Sequence, residues 1–337
     1  MIKKLYEQLI SIVRENYKYI FFLLIFYFVL TIPLPYYIHS TGGLIDMSSR
    51  VEVEDEKNKS GSINLSYVTE LGGNVLTYML SYIIPSWDLV NQEDYVSSNE
   101  TTADVEYRNR LLLDEANANA VMVAYKAANK EVIIKDKRFK VVFVDEKADT
   151  TLKIGDEIVS IEGIEINSAN DYIDVVSNNS IGDNLNILVI DKNKQKTNRT
   201  AKIFEIEERN VTGILVTSET KYEAHPKIKF NFEDSESGPS GGLMMAIAIY
   251  DKLVSEDLTK GLTVVGTGTI DVDGNAGEIS GIEYKLKGAV DAKADIFFVP
   301  LGNNYEDAKK LAKKNKYNIK IIGVSTFNDA INYLRSI

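Results

Sequence analysis

Two short stretches carry residue types that could do chemistry together. The first is Ser237-Gly238-Pro239-Ser240-Gly241-Gly242, which runs straight into the apolar Leu243-Met244-Met245-Ala246-Ile247-Ala248-Ile249. A small turn that opens a helix leaves a serine hydroxyl beside unpaired backbone N–H groups and the positive end of the helix dipole, where developing negative charge is stabilised. The second is Glu278-Ile279-Ser280-Gly281-Ile282-Glu283-Tyr284-Lys285. A serine hydroxyl is a poor nucleophile until a base takes its proton, and lysine is such a base only when neutral. Its ordinary pKa of about 10.4 has to fall by roughly three units to be useful near pH 7, which is about 4 kcal/mol of differential solvation. Burial against Ile282, Leu286 and the apolar helix after Ser240 is the expected source. The chemistry of such a pair is acyl transfer, and peptide-bond hydrolysis is its commonest form.

Each residue also has a plainer reading. Ser240 alone is a good helix N-cap, Lys285 alone a solvated lysine in a first helical turn, and Thr267 an ordinary strand threonine. Lys287 is a rival base, but two positions along a helix turn it to another face. A Ser–His–Asp arrangement would need His39 or His225, the two histidines of the chain. Both read as solvated loop residues, His39 beside the N-terminal hydrophobic segment and His225 ahead of Pro226.

Composition narrows the classes. Over 337 residues, 45% are apolar and 26% charged, which fits folded domains rather than disorder. A net charge of −11 argues against a nucleic-acid partner, because phosphate binding needs clustered Lys and Arg. Cysteine is absent, so no disulfide, thiolate metal site or cysteine nucleophile is available, and two distant histidines make no zinc site. No cofactor or metal is expected.

The positioning elements begin with an anchor. Residues 20–38 are a nearly unbroken apolar run, close to the ~20 residues that span hydrocarbon. Lys3, Lys4, Arg14 and Lys18 precede it, with Tyr17 and Tyr19 at one edge and Tyr36 and Tyr37 at the other. Positive flanks stay inside, so the expected arrangement is a cytoplasmic lead over 1–19, a transmembrane helix over 20–38, and the remainder outside the cell. A cleaved signal peptide is the competing reading, but no Ala-x-Ala-like site follows.

Beyond the anchor, strands are expected over 44–53 and 63–68 around a polar turn at 55–62, then helices over 74–84 and 108–128. Strands follow over 132–134 and 141–144. Next come Leu152-Lys153-Ile154-Gly155-Asp156-Glu157-Ile158-Val159-Ser160-Ile161-Glu162-Gly163-Ile164-Glu165-Ile166, a helix over 168–176 capped by Ser168, and the strand of Gly182-Asp183-Asn184-Leu185-Asn186-Ile187-Leu188-Val189-Ile190. The last third alternates strands over 228–232, 262–270, 296–299 and 319–322 with helices over 240–254, 285–292, 305–314 and 326–334.

The stretch over 130–207 resembles a PDZ domain on the Leu-x-x-Gly-Asp-x-Ile-x-x-Ile-x-Gly pattern of residues 152–163. The resemblance implies a β-rich module that binds extended peptides by strand addition. Its carboxylate-capturing loop would fall at Lys135–Lys140, which has no glycine. Residues 228–337 resemble the proteolytic domain of Lon-type Ser–Lys peptidases. The match runs through Gly238-Pro239-Ser240-Gly241-Gly242-Leu243-Met244, Gly266-Thr267-Gly268-Thr269-Ile270, Gly274, Gly281-Ile282 and Lys285, in that family's order and spacing. It implies Ser240 as nucleophile, Lys285 as base, Thr267 as the hydroxyl supporting the lysine, Gly238, Pro239 and Gly241 as the shaping turn, and an oxyanion held by backbone N–H groups near Ser240. Many Lon proteins have Asp where Ser237 stands, Ala at 241 and Gly at 280.

Anchor, insert and peptidase together resemble the membrane-anchored PDZ–Lon-like peptidases of Gram-positive bacteria. The implied fold is an α/β (α+β) Lon-type proteolytic domain with an inserted PDZ-like domain and one N-terminal transmembrane helix. Residues 41–129 would form the first part of the catalytic fold, 130–207 the insert, and 208–337 the part with the dyad. No Gly-x-x-x-x-Gly-Lys-[Ser/Thr] occurs, so no ATPase motor is expected, and the substrates are peptides or small unfolded or membrane-tethered proteins. Lon-like domains commonly form rings, which implies a homo-oligomer. The alternative is a membrane-anchored PDZ scaffold whose peptidase fold is inactive.

Overall fold

The computed structural model describes residues 2–54, 56, 59–97 and 100–337. Of the polar turn expected over 55–62, Asp55, Lys57 and Asn58 lie outside the described residues. The chain divides into two compact units. One runs from the N-terminal helix through Ser40 and includes Thr69–Tyr95; the other comprises Thr41–Val68 and Val96–Ile337.

The first unit begins with helix α1, Ile2–Leu30. The expected transmembrane helix over 20–38 is corrected here: the chain is helical only to Leu30, and Pro33–Asp46 is a strand. Pro33 and Pro35 explain the change, because a proline ring fixes φ and removes a backbone donor. Thr31 closes the helix, its Oγ1 donating to the carbonyls of Tyr27 and Phe28. The charge-free part of α1 runs from Tyr19 to Leu30, about 18 Å of helix at 1.5 Å per residue, against ~30 Å of hydrocarbon. An 18-residue window ending at Leu30 takes in Arg14, Glu15 and Lys18, and among the described residues no helix is long and apolar enough to cross a membrane. The rest of this unit is the end of strand Ser62–Asn74, helix α2 over Val75–Ser81, and strand Trp87–Asn91, which pairs antiparallel with residues 36–40. Asn74 and Thr77 form a reciprocal capping box on α2.

The second unit is an α/β sandwich. Strand Ser62–Asn74 pairs in parallel with Thr263–Gly266, which pairs in parallel with Ile296–Pro300, which in turn pairs in parallel with Lys320–Val324. Ile296–Pro300 is buried at every position, as a parallel strand covered on both faces must be. Alternation along it sorts the core. Ile296 and Phe298 join Val264 in a core shared with helices α3 (Thr102–Ala127), α5 (Gly242–Leu253) and α8 (Phe327–Ser336). Phe297 and Val299 join Val265 against α6 (Ile282–Asp291) and α7 (Asn303–Asn315). Helix α3 starts six residues before the expected position 108, because Thr101 and Asp104 form a capping box. The strand expected over 262–270 stops at Gly266, and Thr269–Ile270 turns away to pair with Ala276–Gly277.

Within the second unit, the middle of the chain builds its own sheet. Glu131–Val144 is one long strand, antiparallel to Ile214–His225 along its whole length. Glu157–Ile161, Asn184–Ile190 and Lys196–Lys202 continue the sheet in that order. Helix α4, Ala169–Ser177, lies on it, capped by Ser168 as expected. A separate apolar core forms from Phe139, Val141, Ile158, Ile161, Val175, Leu185, Ile187 and Ile203. The Gly155-Asp156 pair has a local purpose. Asp156 is buried and accepts both the Lys153 N–H at 2.9 Å and Arg199 Nε at 3.0 Å. Residues 135–140, expected as a loop, lie inside the long strand, which leaves no loop there to capture a carboxylate.

Candidate active site

The turn around Ser240 is shaped by Gly238, whose φ of +90° suits only glycine, and whose N–H is held by the carbonyl of Asn109 on α3 at 3.0 Å. Pro239 accepts the Gly242 N–H at 3.1 Å, which closes the turn. Helix α5 starts at Gly242 and not at Ser240. Its N-cap is Gly241, which makes no side-chain capping bond. The plain reading of Ser240 as a helix cap therefore fails: its hydroxyl is not spent on the helix. The N–H groups of Ser240 and Gly241 have no acceptor among the described residues, and they stand where the helix dipole is positive. Gly241 lies against Leu65; a Cβ there would come within 2.7 Å of Leu65 Cδ2.

The Ser240 carbonyl is fixed from the neighbouring strand end. Gly268 N–H donates to it at 2.8 Å and Thr267 Oγ1 at 3.0 Å. Thr267 is completely buried. The resemblance implied a threonine supporting the lysine; here its proton goes to the nucleophile's own carbonyl, and its lone pairs remain available to an amine.

Lys285 belongs to α6, which starts three residues earlier than expected, at Ile282, after Gly281 in the left-handed region at φ +70°. The lysine therefore sits past the solvated end of the helix, one turn in. It is 4% exposed and lies between Ile282 and Leu286, both buried. Burial lowers its pKa to about 8, opposed by the Glu283 carboxylate. Among the described residues its Nζ has no ion-pair or hydrogen-bond partner. A buried amine without a carboxylate partner is costly as an ammonium, which is the condition a lysine base requires. The rival, Lys287, is exposed and paired with Asp291 at 2.6 Å, which raises its pKa.

One strand backs all of these groups. Leu65 lies under Gly241 and is in register with Gly266, the residue before Thr267. The next residue, Ser66, is fully buried and donates from Oγ to the Lys285 carbonyl at 2.6 Å. Ser66 and Asn109 did not emerge from the sequence motifs. The available signal for Ser66 was a small polar residue at the end of the apolar alternation Ile63-Asn64-Leu65, but nothing in that pattern named its partner.

The acidic residues ahead of the turn are otherwise engaged. Glu236 takes Arg50 Nε at 2.8 Å and Arg50 Nη2 at 2.7 Å, and Glu233 takes Nη2 at 3.0 Å. Arg110 Nη2 reaches the Asp234 carbonyl at 3.3 Å. The Glu233 and Glu236 carboxylates thus brace the loop through Arg50. His39, expected in a solvated loop, is a buried strand residue whose Nε2 lies 2.9 Å from Glu70. His225 ends the strand Ile214–His225, half exposed, 3.6 Å from Glu223.

Residues 233–335 match the family described as the Lon protease (S16) C-terminal proteolytic domain. The Lon protease of Campylobacter jejuni is 33% identical over 102 residues, covering 29% of this chain and 12% of that protein. The chain thus spans about an eighth of the length of that relative. The PDZ domain of an SdrC-like protein from Listeria monocytogenes is 22% identical over 23% of this chain and 85% of that one, with a TM-score of 0.21. The second domain of another Listeria protein is 27% identical over 24% and 82%, with a TM-score of 0.20. The C-terminal third of the chain thus matches a Lon-type proteolytic domain, a family of serine peptidases.

Proposed function

We propose that the protein is a serine endopeptidase in which Ser240 is the nucleophile and Lys285 the general base, acting without ATP on peptides and small unfolded or membrane-tethered proteins. The observation that carries this reading is the buried, unpartnered amine of Lys285, with its pKa lowered to about 8, in the same strand-backed cluster as the uncommitted hydroxyl of Ser240. Lys285 takes the hydroxyl proton as Ser240 Oγ attacks the scissile carbonyl. The Ser240 and Gly241 N–H groups receive the oxyanion, and the lysine then returns the proton to the leaving amine. Thr267 holds the Ser240 carbonyl so that the turn does not move as charge develops.

The middle sheet, with its own core, is read as a PDZ-like module that docks extended substrate segments by strand addition. Helix α1 is read as the element that carries the enzyme to a membrane, with the peptidase outside the cell. Its residues from Phe21 to Val29 are apolar and exposed on all sides, more apolar surface than a water-facing helix ordinarily shows. Homo-oligomerisation is part of the proposal on family resemblance alone.

The test is cleavage of a peptide library by the purified chain, read by mass spectrometry. Ser240→Ala and Lys285→Ala should each abolish cleavage without loss of folding. Undiminished hydrolysis by either variant rejects the dyad and leaves the inactive scaffold as the better account.

A further inference from the structure

Charge is distributed unevenly along this chain. A quarter of all residues are charged, yet no Asp, Glu, Lys or Arg occurs from Tyr19 through Ser40 or from Leu71 through Trp87. Both stretches belong to the first unit. They meet within it: the Val75 N–H, at the start of α2, donates to the carbonyl of Ile32, two residues past the end of α1, at 3.3 Å. Helix α2 therefore begins where α1 ends.

The outer face of α2 is apolar. Leu76 and Met79 on the helix are 42% and 57% exposed, and Tyr82 and Ile83, in the turn that follows it, are 72% and 73% exposed. Tyr78 and Tyr82 join hydroxyls at 2.9 Å, and Tyr36 packs against Tyr78 with the rings tilted by 40° and their centroids 5.8 Å apart. A helix of seven residues is about 10 Å long and spans nothing. An uncharged apolar face edged by tyrosines is the composition of a segment lying in the boundary between headgroups and acyl chains.

We propose that α2 and the turn that follows it form an interfacial membrane segment, embedding Leu76, Met79, Tyr82 and Ile83 in the lipid surface beside the end of α1. This rests on the reading that α1 carries the chain to a membrane. It also answers the shortness of α1, whose charge-free part covers about 18 Å by itself; α2 supplies the apolar area that α1 lacks. The chosen occupant is lipid and not a protein partner because the surface offers no charge to specify one over 39 residues (22 in the first stretch and 17 in the second). Binding through such a face depends on buried apolar area and not on headgroup charge.

Trp87, the single tryptophan of the chain, lies six residues past α2 in the same unit and serves as the emission probe. The full chain is reconstituted into phosphatidylcholine vesicles with bromines placed near the headgroup end or near the terminal methyl of the acyl chains. Vesicle flotation is measured alongside. The expected result is flotation, quenching of Trp87 emission by about two-fold or more with shallow bromines and less with deep ones, and no change in high salt or with added anionic lipid. Met79→Asp with Ile83→Asp should remove the quenching while flotation through α1 persists. Met79→Ser with Ile83→Ser serves if the aspartates unfold the chain, as judged by circular dichroism. Flotation without quenching overturns the role of α2 and leaves the membrane reading standing; failure to float overturns both. Loss of a dimer in detergent by the same variants, with Trp87 unquenched, assigns the face to a second copy and overturns the lipid assignment.

Discussion

Thr267 Oγ1 donates to the carbonyl of Ser240 at 3.0 Å, from a side chain with no exposure to solvent. The carbonyl belongs to the nucleophile itself, so the bond fixes the turn on which the reacting hydroxyl is mounted. Thr267→Val keeps the shape and deletes the donor. The Ser240 carbonyl keeps the Gly268 N–H, so the lost bond is worth about 0.5–1.5 kcal/mol, and kcat should fall roughly 2- to 13-fold with little change in KM. Thr267→Ser should restore most of it. Steady-state kinetics on one peptide substrate check both variants.

The pH dependence follows from Lys285. Its pKa is lowered to about 8 by burial, and only the neutral amine accepts the serine proton. The rate constant kcat/KM should therefore rise with pH and level off above an apparent pKa near 8, falling about tenfold per pH unit on the acid side. A flat profile from pH 6 to pH 9 would contradict a lysine base.

The same lysine carries a stability cost. The folded state gives up the Lys285 proton near pH 8, and the unfolded chain gives it up near 10.5. Between those values the unfolded state binds more protons, so stability rises with pH, and the lysine's penalty is fully present below pH 8. The difference corresponds to about 3 kcal/mol. Lys285→Met should accordingly raise stability by up to about that amount at pH 7 while abolishing activity, and the gain should shrink toward pH 10.5. Urea unfolding of both proteins across that range is the check.

Arg50 and Glu236 form a mostly buried bidentate pair that holds the loop leading to Ser240, with Glu233 as a further partner. Removing one partner leaves the other charge poorly solvated. Arg50→Ala should destabilise the protein by about 2 kcal/mol and lower kcat with it. A double-mutant cycle with Glu236→Gln measures the pair; a coupling energy near zero would remove it from the account.

Much of this site was legible in the residues because its parts are local. The Gly238–Gly242 turn, the apolar α5 and the Gly281-to-Lys285 helix entry are each written within a few positions. Thr267 was placed by the family resemblance, but its bond to Ser240 was not, since a hydrogen bond across 27 residues leaves no trace in either segment. Ser66 was missed for the same reason: its partner lies 219 residues away. The start of α5 was misjudged because Ser is a strong N-cap, and tertiary contacts of Gly238 and Gly241 outweighed that preference. At the N-terminus, hydropathy alone extended the helix through Pro33 and Pro35, although backbone chemistry stops it at Leu30.

The most direct measurement is covalent labelling by a small phosphonate that reacts with activated serines, followed across pH by intact-mass and peptide mass spectrometry. The account predicts one adduct, on Ser240, whose rate of formation climbs with pH to a plateau above about 8 and is lost in Lys285→Ala. An adduct on another residue, or undiminished labelling of Ser240 when Lys285 is replaced, would contradict it.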